Sequence, residues 1–123
     1  MPRILIADDD EDIVELLGMS LKSEGFEITA AKNTEAAVAA LKAGGIDAVI
    51  LDMGMEGSET GAPARALKDA AGLAPRILML TGRDLRLERV KGNLDGADAV
   101  LEKSCSLDLV VSTLKTLLTD RPS

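Results

Sequence analysis

Four groups of polar residues stand at the ends of short apolar runs: Asp8, Asp9 and Asp10 after residues 3–7, Asp52 after 46–51, Thr81 and Gly82 after 76–80, and Lys103 just beyond 97–101, after Glu102. Three carboxylates drawn into one pocket repel one another by roughly 4 kcal/mol per pair at 4 Å and an effective dielectric near 20. Such a cluster calls for a cation. Oxygen ligands without His or Cys favour Mg²⁺, which accepts carboxylates, keeps waters and takes phosphate oxygens as further ligands. An ammonium, a hydroxyl and a glycine N–H on the far side of the pocket suit the remaining oxygens of a phosphoryl group. The residue types therefore point to phosphoryl transfer onto a carboxylate.

These residues converge only if the apolar runs are neighbouring parallel strands. Residues 3–7, 26–30, 46–51, 76–80 and 97–101 read as strands, and amphipathic stretches separate them. Ile13, Leu16, Leu17 and Leu21 recur at helical spacing before Gly25. Asn33 or Thr34 can cap an alanine-rich helix that stops at Gly44 and Gly45. A glycine-rich loop over 53–61 precedes a third helix over about 63–71, with Pro63 tolerated in its first turn. Leu87, Val90 and Leu94 mark a fourth helix capped by Asp84 and weakened by Gly92. The last helix carries the cleanest stripe, Leu107, Val110, Val111, Leu114, Leu117 and Leu118. Strict βα alternation predicts an α/β, doubly wound sandwich with a parallel five-stranded sheet, and the order expected for it is the flavodoxin-like 2-1-3-4-5, one of the two common doubly wound orders. In that order the first and third strands flank the switch point, and Asp8, Asp9 and Asp52 meet there.

The chain has 123 residues, 46% of them apolar and 28% charged, which suits one soluble globular domain. Its net charge of −7 opposes nucleic acid and anionic membranes. The absence of His removes His-based nucleophilic triads, His-ligated zinc and a His general base. The single cysteine, Cys105, allows no internal disulfide and reads as a small, partly buried side chain. No run is long enough for a signal peptide or a membrane span, so the expected location is cytoplasmic.

The segments ILIADDDED, AVILDMGMEG, ILMLTG and AVLEKS, in this order and spacing, closely resemble the receiver domain of bacterial two-component response regulators. The likeness covers nearly the whole chain and is closest to the single-receiver, chemotaxis-regulator type. It implies a flavodoxin-like (βα)5 receiver domain over residues 1–119 with a polar tail at 120–123. It also implies that Asp52 is the phosphoacceptor, that Mg²⁺ is held by Asp8, Asp9, Asp52 and the backbone carbonyl of Gly54, and that Thr81, Lys103 and the Gly82 N–H contact the phosphoryl oxygens. The donor would be a sensor histidine kinase or histidine phosphotransfer protein. Output would go to a protein or domain through the face of the fourth helix, fifth strand and last helix. The chain would then be a signalling domain that takes and loses its own phosphoryl group, not an enzyme acting on other molecules.

Asp10 and Asp12 are assigned to favourable charge at a helix N-terminus, worth about 0.3–1 kcal/mol each. Three positions depart from the family pattern: Glu56 replaces a proline after the phosphoacceptor, Ser104 replaces the proline after Lys103, and Val100 replaces an aromatic on the fifth strand. Two alternatives compete with the main reading. One is an unphosphorylated pseudo-receiver used for docking or dimerisation. The other is a phosphohydrolase of the haloacid dehalogenase type, suggested by Asp8 and Asp10 in an Asp-x-Asp arrangement.

Overall fold

In a computed structural model, which describes residues 2–52, 63–72, 75–82 and 96–119, the apolar runs become five parallel strands. They are β1 (Arg3–Ala7), β2 (Glu27–Ala31), β3 (Ala48–Asp52), β4 (Arg76–Thr81) and β5 (Ala99–Glu102), in the order β2-β1-β3-β4-β5. The expected order holds. Four helices are described: α1 (Glu11–Ser23), α2 (Thr34–Ala43), α3 (Pro63–Ala71) and α4 (Leu107–Thr119). The expected fourth helix, marked by Leu87, Val90 and Leu94 and capped by Asp84, lies outside the described residues, as do Gly54 and Glu56.

Side chains alternate across a strand, so the sheet has two packed faces. Leu5, Val49, Leu51, Ile77 and Met79 face Ala37 and Leu41 of α2 and Ala64 and Leu67 of α3. Ile4, Ile6, Ile50 and Leu78 face Leu17 and Leu21 of α1 and Val110 and Leu114 of α4. Helices on both faces bury β1, β3 and β4 almost completely, which is why those strands read as unbroken apolar runs. The outer strands β2 and β5 are only partly buried.

The expected second strand began one residue early. Phe26 belongs instead to the end of α1: its N–H donates to the Leu21 carbonyl at 3.1 Å, and Gly25 donates to Lys22 at 3.0 Å. Gly25 turns at φ +92°, the left-handed conformation that closes a helix in this way. The expected third strand began two residues early. Asp47 is an anchor rather than a strand residue, since its carboxylate accepts the Arg3 N–H at 2.9 Å and its own N–H donates to the Arg3 carbonyl at 2.9 Å.

Asp98 plays a similar part at the other side of the sheet. Its carboxylate accepts the Ile77 N–H at 2.7 Å and lies 3.4 Å from Lys68 and 3.5 Å from Arg76, and the side chain is 22% exposed. Asp98→Ala leaves the Ile77 donor without that acceptor and is expected to lower stability by about 1–3 kcal/mol in urea titrations. A loss below a few tenths of a kcal/mol would show that water replaces the carboxylate there.

Candidate functional site

Parallel register sets the site. Ala7 of β1 lies opposite Leu51 of β3, so Asp8, one residue further on, reaches the level of Asp52. Asp52 lies opposite Leu80 of β4, which puts Thr81 one step beyond it. Thr81 pairs with Glu102 of β5, and its carbonyl accepts the Lys103 N–H at 2.8 Å. Four neighbouring strands therefore deliver Asp8, Asp52, Thr81 and Lys103 to one end of the sheet.

Asp8, Asp52 and Thr81 are buried, with 3%, 4% and 1% exposure. They are the only polar or charged side chains among the described residues that are buried to this degree. Asp9 is exposed at the rim. Carboxylate oxygens of Asp8, Asp9 and Asp52 all lie within 4.8 Å of one another. Lys103 bridges the buried pair, its Nζ 3.0 Å from Asp52 Oδ1 and 3.6 Å from Asp8 Oδ2.

One ammonium against three carboxylates leaves an excess of negative charge. Asp8 registers it: burial pushes its pKa from 3.8 up to about 6, and the Asp52 charge adds to that, while the Asp10 N–H and Lys103 pull the other way. The Asp10 N–H donates to Asp8 Oδ1 at 2.9 Å. For Lys103, burial favours the neutral amine, but its hydrogen bond to Asp52 and the charges of Asp52 and Asp8 outweigh burial and leave the pKa raised. The all-oxygen donor set, its close spacing and its unbalanced charge fit a hard divalent cation such as Mg²⁺.

Asp10 is not part of this cluster. Its carboxylate caps α1, accepting the Asp12 N–H at 3.0 Å and the Ile13 N–H at 3.4 Å. A hydrolase of the Asp-x-Asp kind needs that side chain in the pocket, so the cap removes the basis for that alternative. Gly82, expected to donate its N–H, has no atom of the described residues within 4 Å of where a side chain would begin. Gly54 lies outside the described residues.

The turn after β5 is built with trans peptides in the absence of the family's proline; the Cys105 N–H donates to the Glu102 carbonyl at 3.0 Å. Cys105 is partly buried as expected, and burial together with Glu102 pushes its thiol pKa up, away from reactivity. Sequence reasoning gave Lys32 no role. It pairs with Glu11 at 2.7 Å on the rim of a cavity of about 190 Å³ that Asp8 also lines. The available signal was its position directly after β2, beside Asp8.

A family model for the response regulator receiver domain matches residues 4–115. The sensory transduction protein RegX3 of Mycobacterium tuberculosis is 31% identical over 121 residues, covering 96% of this chain and 51% of the relative. The chain thus spans about half the length of that relative. Among solved structures, the response regulator protein TrrA of Thermotoga maritima in complex with Mg(2+)-BeF is 34% identical with a TM-score of 0.82, over 96% of this chain and 100% of that one. The signal receiver domain of a signal transduction histidine kinase from Syntrophus aciditrophicus is 27% identical with a TM-score of 0.85, over 100% and 96%.

Proposed function

The chain belongs to the response regulator receiver domains of bacterial two-component systems, and we propose that it accepts a phosphoryl group on Asp52 from a phosphohistidine of a sensor kinase or phosphotransfer protein. Residues 1–119 act as the receiver. It is a signalling domain, not a classical enzyme. The observation that carries this reading is the buried Asp52, held at 3.0 Å by Lys103 within 4.8 Å of two further carboxylates.

Asp52 attacks the phosphorus, an O–P bond forms as the donor's N–P bond breaks, and the imidazole leaves with the bonding pair. Lys103 fixes the acceptor by holding its Oδ1. Asp8, Asp9 and Asp52 would hold Mg²⁺, with the Gly54 carbonyl as the further ligand that the family likeness implies, and the bound ion would supply charge neutralisation for the transferring group. The Thr81 hydroxyl, the Gly82 N–H and the Lys103 ammonium take the phosphoryl oxygens. TrrA, bound to Mg(2+)-BeF, supports the metal assignment by likeness. None of the helices among the described residues is long and apolar enough to cross a membrane, in keeping with the cytoplasmic setting where such kinases deliver their phosphoryl group. Output is assigned to the side of the sheet carrying β5 and α4; the fourth helix expected from the sequence to share that face lies outside the described residues.

Intact mass after incubation with acetyl phosphate tests this. A single phosphoryl adduct is expected with Mg²⁺ and none with a chelator. An unmodified mass under both conditions would favour a docking module that is never phosphorylated.

A further inference from the structure

Residues 96–100 are fastened to α3 by contacts that lie outside the phosphoryl site. Gly96 turns at φ +90°, and a Cβ there would stand 2.6 Å from the backbone nitrogen of Arg65 and 2.8 Å from its Cα. Two stretches of backbone therefore touch with no side chain between them. Two residues on, Asp98 reaches Lys68 of α3 while it accepts the Ile77 N–H of β4. Ala97 and Val100 pack on the cluster that contains Ala64 and Leu67. A backbone contact, an ion pair and an apolar contact thus join the same two elements.

We propose that α3 and the start of β5 move as one body, so that a shift of α3 caused by phosphorylation of Asp52 is delivered to β5 through Gly96 against Arg65 and Asp98 against Lys68. This rests on Asp52 being the acceptor. Close-packed backbones cannot slide without displacing each other, and an ion pair across the same joint resists separation. α3 is the helix that follows β3, the strand carrying Asp52, and β5 leads straight into Lys103. The joint gives the site a second, mechanical link to β5 where Val100 supplies no aromatic ring.

Amide chemical shifts of the full chain, with and without Mg²⁺ and beryllofluoride, test the link. In the wild type, residues 64–71 and 96–100 are expected to shift together with Asp52 and Thr81. Asp98→Asn keeps an acceptor for Ile77, and Lys68→Met removes only the α3 end of the pair. In each variant the response at 96–100 should fall by about half or more, with that at Asp52 unchanged. A full response at 96–100 in both variants, or a silent α3 while 96–100 moves, overturns the coupling and leaves the acceptor intact. No response at Asp52 and Thr81 in the wild type overturns the acceptor, and the coupling with it.

Discussion

Asp52→Asn is expected to take up no phosphoryl group from acetyl phosphate under conditions expected to modify the wild type. An amide oxygen lacks the charge that makes a carboxylate the nucleophile in acyl phosphate formation. The substitution is nearly isosteric in a site with 4% exposure. It also removes one member of a mutually repelling set, so the fold is expected to survive and to firm slightly. Intact mass and thermal unfolding of the same sample separate the two effects. An adduct of unchanged yield and unchanged hydroxylamine sensitivity would move the acceptor to another residue.

Asp8→Asn is expected to stabilise the metal-free protein and to abolish most of its response to Mg²⁺. In the folded chain Asp8 holds its proton up to about pH 6, against an ordinary value of 3.8. Between those values the folded state binds more protons than the unfolded one, so stability falls as the pH rises. The contribution is fully present below about pH 4 and lost once the pH has passed about 6. A shift of this size corresponds to roughly 2–3 kcal/mol. Asparagine cannot ionise and keeps an oxygen for the Asp10 N–H, so the variant retains at pH 8 what the wild type loses. Its melting temperature should exceed the wild type's by about 10 °C in chelator at pH 8, with the gap closing below pH 4. Mg²⁺ raises the wild type by mass action on the folded state and should scarcely move the variant. Equal melting temperatures at pH 8 in chelator would mean that Asp8 is not charged against its surroundings.

The site was legible because its residues sit at the ends of strands buried on both faces. β1, β3 and β4 are continuous apolar runs, and a polar residue ending such a run is visible without any structure. Asp8, Asp52 and Thr81 each do so. The outer strands were harder. β2 is half-exposed, so its pattern could not separate Phe26, which closes α1, from the strand that follows. Asp47 and Asp98 were missed because each satisfies a backbone donor on a strand distant in sequence, a role that leaves no periodic signal. Asp10 was assigned to the helix N-terminus by charge alone. Its two backbone hydrogen bonds make it the cap itself and keep it out of the metal cluster.

Asp52, and neither of the carboxylates within 4.8 Å of it, is assigned to carry the phosphoryl group. Borohydride reduces an acyl phosphate to the corresponding alcohol, so the acceptor aspartate is converted to homoserine and can be located by tandem mass spectrometry of the digested protein. After treatment with Mg²⁺ and acetyl phosphate, homoserine at position 52 alone is the predicted result; homoserine at position 8 or 9, or at none of the three in a sample whose intact mass shows the adduct, would contradict it.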